Sequence, residues 1–144
     1  MGVELIATGV LCLSAPAAYW VGKGQPDPTG WWLFVLTWLQ SAASIVYAYL
    51  RLEQRSLNAL PDLVTRMGMA WRAWSYATFN LVFTTTIGYA GFLPCSLIVP
   101  FALQWAETLW GSLRPAIGLK PTQIGIRQLI VSSLFTLLFI LSWK

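Results

Sequence analysis

Five apolar runs leave this chain few ways to fold: residues 4–22, 30–51, 71–91, 92–110 and 124–143 each hold close to a helical membrane span's worth of apolar chain. A hydrocarbon core is about 30 Å thick and a helix rises about 1.5 Å per residue, so a crossing takes roughly 20 residues. Backbone groups in lipid must be satisfied within the chain, which restricts spanning structures to helices and closed barrels. Barrel strands alternate in polarity over about ten residues. The stretch LIVSSLFTLLFIL at 129–141 does not alternate; its polar residues Ser132, Ser133 and Thr136 fall on one helical face instead. The expectation is an all-α, polytopic membrane bundle of five transmembrane helices, forming a single domain over residues 1–144.

Composition supports a lipid solvent. Hydrophobic residues make up 57% of the chain and charged residues 10%, against about 45–50% and about 25% in an ordinary soluble domain. That leaves too little polar surface to cover a fold of this size. The segments between runs read as turns. GKGQPDPTG at 22–30 concentrates Gly and Pro, with Thr29 expected to cap the second span; LNALP at 57–61 breaks the chain, and Pro61 followed by Asp62 suits the first turn of the third helix. GYAGFLP at 88–94 predicts a tight turn that makes the third and fourth spans an antiparallel hairpin. With no basic residue before Leu5, the first run is expected to stay as a span rather than serve as a cleaved leader.

The cations then set an orientation. Arg51, Arg55, Arg66 and Arg72 lie between the second and third spans, and Arg114, Lys120 and Arg127 between the fourth and fifth, on the same side of a five-span chain. Lys23 and Lys144 fall on the other side, so the bias is seven against two. Positive charge in short loops marks the cytoplasmic face. The N-terminus is expected in the cytoplasm and the C-terminus outside. Tyr19, Trp20, Trp31, Trp32 and Trp143 would mark the outer interface, and Trp71, Trp74 and Trp110 the inner one. Scattered between spans, these cations form no nucleic-acid surface.

Polar residues within spans are the candidate site. Asn80 on the third span and Gln104 and Glu107 on the fourth, with Gln40, Ser41 and Ser44 on the second, suggest a polar cavity between spans two and four, or interhelical hydrogen bonds that only hold the helices together. Glu107 precedes Arg114 by seven residues, a spacing that predicts an ion pair if the helix continues through Gly111. Pro100 is placed to kink the fourth span. Arg114, Lys120 and Arg127 are candidates for holding lipid headgroups or another anion, with solvated charge as the plainer account. No catalytic residues are assigned. The chain has no His, which removes Ser/His/Asp and Cys/His sets, and it has no Walker loop or paired acids spaced for Mg2+. No metal site and no cofactor are expected; Cys12 and Cys95 are read as small core residues. The expected partners are membrane lipids, with a membrane subunit or a second copy of the chain as the further possibility.

Residues 42–55, AASIVYAYLRLEQR, and 106–141 resemble the C-terminal part of the YwiC-like family of bacterial membrane proteins. The likeness is carried by Leu113-Arg114, by the turn Lys120-Pro121-Thr122-Gln123-Ile124-Gly125 and by Ser132-Ser133-Leu134-Phe135. It implies a bacterial cell membrane. Family members are longer and carry a His-Gly-Ala-Trp-like element that this sequence lacks, which implies a shortened relative. The family is distantly similar to UbiA-type intramembrane prenyltransferases, whose Asp-rich motifs have no counterpart here, since Asp27 and Asp62 are the only aspartates. Two functions follow: a noncatalytic protein binding lipid or a membrane subunit, or a degenerate isoprenoid-handling enzyme or small transporter using Asn80, Gln104 and Glu107.

Overall fold

The computed structural model describes residues 2–143, so the placement of Lys144 lies outside the described residues. All regular structure among the described residues is helical: α1 (Gly2–Cys12), α2 (Ser14–Lys23), α3 (Pro28–Arg55), α4 (Leu63–Tyr89), a 3-10 turn (Cys95–Leu97), α5 (Ile98–Leu113) and α6 (Pro121–Ser142). Three helices are long and apolar enough to cross a membrane: Gly2–Lys23 taken as one rod, Pro28–Arg55 and Pro121–Ser142. The chain divides into two compact units, one up to Ile45 and one from Val46 onward, with α3 contributing to both.

In the first unit the rod α1–α2 is interrupted only at Leu13. Pro16 accounts for the break, because its ring collides with the carbonyl four residues back and it has no N–H to donate; Leu13 N instead bonds Val10 O at 3.2 Å. Tryptophans pack onto glycines where the rod meets the start of α3. Trp38 lies against Gly9 and donates to Leu5 O at 3.0 Å, and Trp20 lies against Gly30 and donates to Asp27 O at 3.0 Å. Pro28 occupies the first position of α3 and Asp27 Oδ1 accepts from Gly30 N, so the cap is Asp27 and not the expected Thr29. An ion pair to Lys23 holds the Asp27 carboxyl below its ordinary pKa.

The second unit is built on α4. Its buried residues Ala70, Ala73, Ala77, Asn80, Thr84 and Gly88 recur every three or four positions, a stripe of mostly small side chains that lets α5 approach closely. Hydroxyls on both helices return to carbonyls one turn back, Thr84 to Asn80 O at 2.7 Å, Thr108 to Gln104 O at 2.9 Å and Ser112 to Thr108 O at 2.8 Å, so these polar groups are satisfied inside their own helix. α6 packs on α5 through Phe135, edge-on to Phe101 with ring centres 5.2 Å apart. Its opposite side exposes Ile126, Leu129, Ile130, Leu137, Ile140 and Leu141.

Several boundaries differ from the expectations. α4 starts at Leu63 with Asp62 as its cap rather than at Pro61. The fourth run becomes helical through the 3-10 turn, and α5 proper begins at Ile98. Pro100 therefore sits in the first turn, where backbone N–H groups have no intrahelical partner anyway, and it does not kink the span. Cys95 is exposed on the 3-10 turn rather than part of the core, and both cysteines are free.

Candidate functional site

All charged side chains of the second unit among the described residues lie at one end of it, where α3 and α5 stop and α4 and α6 begin; residues 73–106 and 128–143 carry none. The site grows from the problem of ending α5. Arg114 leaves the helix with φ −117° and ψ 85°, which strands the last carbonyls without intrahelical partners. Long side chains from other helices reach them. Arg51 Nη1 donates to Gly111 O at 2.9 Å and to Arg114 O at 2.6 Å, Gln54 Nε2 donates to Gly111 O at 3.2 Å, and Arg66 Nη1 donates to Leu113 O at 3.1 Å. Arg51 is 4% exposed and Gln54 0%. A buried cation at a helix C-terminus is also favoured by the helix dipole.

The same face of α3 presents Tyr47 one turn earlier. Its hydroxyl donates to Glu107 Oε1 at 2.9 Å, and Arg127 of α6 grips both carboxylate oxygens, Nε to Oε1 at 2.7 Å and Nη2 to Oε2 at 2.9 Å. Such two-point pairing is the strong geometry for a guanidinium and a carboxylate. Gly111 lies against the Tyr47 ring, and a methyl group there would overlap the phenol. Around the corner, Trp110 sits beneath the Arg114 guanidinium at 4.2 Å from the ring centre, with that of Arg127 at 5.8 Å.

These positions sort the expected site residues. Asn80 and Gln104 do come together, with Asn80 Nδ2 3.4 Å from Gln104 Oε1, and both are buried. Glu107 is one turn further along α5 and is committed to Tyr47 and Arg127, so the three polar residues do not form one group. The expected Glu107–Arg114 pair is not made, because the helix ends at Leu113 and Arg114 turns onto Trp110. Arg114 and Arg127 share that indole. Lys120 caps α6, its N–H donating to Gln123 Oε1 at 3.1 Å, and its side chain is exposed. Among the described residues no three His, Cys, Asp or Glu side chains gather as metal ligands would.

The sequence reading missed Tyr47, Arg51 and Gln54 as site residues, counting Arg51 only as a loop charge. Their signal was present: Tyr47, Leu50, Arg51 and Gln54 recur at the i, i+3, i+4, i+7 spacing of one helical face. Chemically, the site offers guanidinium groups and, in Glu107, a carboxylate with both oxygens engaged. Fold and site together define, among the described residues, an all-helical protein with membrane-span-like helices, whose second unit gathers its charges at one end. No family model, curated protein or solved structure matches the chain.

Proposed function

We propose that this chain is an integral membrane protein that crosses the bilayer five times, with its N-terminus and both basic loops in the cytoplasm, and that it acts without catalysis by binding lipid or a membrane subunit. The observation that carries the reading is the co-extension of α4, α5 and α6. α6 is itself of membrane-span length. Near its start Arg127 holds Glu107 close to the end of α5, and at its other end Ser142 and Ser96 exchange hydrogen bonds at 2.7 and 3.0 Å. If α6 crosses the hydrocarbon, the hairpin of α4 and α5 beside it crosses the same thickness. The Asn80–Gln104 bond and the back-bonded hydroxyls favour packing over a transport or isoprenoid cavity. The resemblance to YwiC-like proteins is consistent with a bacterial cell membrane and adds no activity.

Cysteine labelling in intact cells tests it. In a background with Cys12 and Cys95 replaced by Ser, Lys23→Cys is expected to react with a membrane-impermeant maleimide and Lys120→Cys only after permeabilisation. Labelling of both from one side, or extraction of the protein by carbonate wash, overturns the proposal.

A further inference from the structure

At the basic end the cations nearest Glu107 are mostly committed, and Arg114 differs from them. Arg127 gives Nε and Nη2 to Glu107, and Arg51 and Arg66 are turned onto backbone carbonyls. Arg114 is exposed, and its guanidinium makes no hydrogen bond or ion pair among the described residues; the Trp110 face holds it by cation–π contact. Because Arg114 and Arg127 lie 4.2 and 5.8 Å from the same ring centre, their guanidinium groups are within about 10 Å of each other. Beside Arg127 opens a groove of about 540 Å³ lined by Glu107, Gln123, Ile126, Arg127, Ile130 and Val131. It is charged toward Arg127 and apolar along α6, where Ile126 and Ile130 are both more than half exposed.

We infer that this groove is a binding site for an anionic phospholipid, with the phosphate on Arg114 and the remaining Nη1 of Arg127 and an acyl chain along Ile126, Ile130 and Val131. The inference rests on the membrane reading above and gives the lipid-binding role an address. Charge complementarity selects the headgroup. Counting the described residues from Val46 onward, seven cations face three acids, and the nearest acid, Glu107, is neutralised by its two-point pair with Arg127. A guanidinium held over an indole, 4.2 Å from the ring centre, is restrained before phosphate binds and loses less freedom on binding it. The apolar floor selects a lipid over a free anion, since Ile130 and Val131 offer a soluble phosphate nothing.

The test is native mass spectrometry of the full chain released from micelles, supplied with phosphatidylglycerol or with phosphatidylcholine of the same acyl chains. Preferential retention of phosphatidylglycerol is expected. Arg114→Gln should lower that retention about fivefold, while Arg55→Gln, which removes an equal charge from the same end, should change it less than twofold. Ile130→Trp, which fills the groove, should weaken both lipids. Equal losses from Arg114→Gln and Arg55→Gln would reduce the site to a diffuse field, and Ile130→Trp without effect would remove the groove; either result sinks the inference. Displacement by millimolar inorganic phosphate would show a free anion as the ligand and would also overturn it. The labelling experiment above is independent of all these arms, and circular dichroism confirms that the exposed substitutions leave the helices intact.

Discussion

The two ends of the α4–α5–α6 unit solve one problem by different means. At the uncharged end, α4 stops with a purely local device: Gly91 takes φ +80°, its N–H bonds Gly88 O at 3.0 Å, and Phe92 N reaches back to Ile87 O at 3.2 Å, the two bonds of a Schellman motif. At the charged end, α5 stops without such a turn and its carbonyls are met by Arg51, Gln54 and Arg66 from elsewhere in the chain. The first end depends on one glycine. The second depends on long-range assembly, and it leaves cations over at the surface from which a site can be made.

Removing Arg51 should break that comparison hardest. Arg51→Leu strips the donor from the Arg114 carbonyl and from the buried Gln54 Oε1, and one of two donors from the buried Gly111 carbonyl, and each buried group left unsatisfied costs about 1–3 kcal/mol. A loss of about 2–4 kcal/mol is expected in reversible unfolding from mixed micelles. Arg51→Lys should recover less than half, because an ammonium lacks the fork that spans both carbonyls. A loss below about 1 kcal/mol for Arg51→Leu would mean the end is closed by something other than this side chain.

Gly111 and Gly88 sharpen the contrast. Alanine at Gly111 drives Tyr47 off Glu107 and is expected to cost about 1–3 kcal/mol, whereas at Gly88 the added methyl meets Cys95 Cα at an ordinary 3.4 Å and should be nearly neutral. The same unfolding measurement compares them. Gly91→Ala should cost about 1–2 kcal/mol, the steric penalty of a left-handed conformation for a residue with a Cβ. Because that penalty is local, Gly91→Ala should leave phosphatidylglycerol retention unchanged, while Gly111→Ala, which disturbs the wall of the lipid groove through Glu107, should lower it.

What could be read from the sequence follows the same division. The turn at 88–94 was legible because glycine chemistry is local. The apolar periods of α3 and α6 were legible because hydropathy is additive along a run. Arg51 was misread because nothing near it in sequence shows that Gly111, sixty residues away, will need a donor, and a buried arginine looks like any loop arginine until the helices are assembled. The Glu107–Arg114 pairing failed for a related reason: Arg114 lies close in sequence, but the helix ends one residue before it. Glu107 took the arginine that α6 delivers instead. Asn80 and Gln104 meet at 3.4 Å, the interhelical bond that was one of the two readings open for them, since a closely packed helix interface leaves buried polar side chains little else to bond.

The smallest expected effect concerns acid. Asp62 caps α4 at the charged end, and the Thr65 hydroxyl donating to it, followed by backbone N–H groups, holds its carboxyl below the ordinary value of 3.8. A carboxyl depressed on folding contributes stability that is full above its unfolded pKa and is lost as pH falls through the folded one. Unfolding in micelles should therefore show stability declining below about pH 4, and Asp62→Asn, which keeps a capping side chain, should remove part of that decline. Asp27, held down by Lys23, contributes with the same sign from the other unit, so the difference between wild type and Asp62→Asn is the quantity to follow. Among the described residues the other end of the α4–α5–α6 unit carries no acidic side chain. Should the acid slope survive Asp62→Asn undiminished while Asp27→Asn abolishes it, the charged end would owe its shape to arginines and carbonyls alone, with the cap of α4 no part of the device.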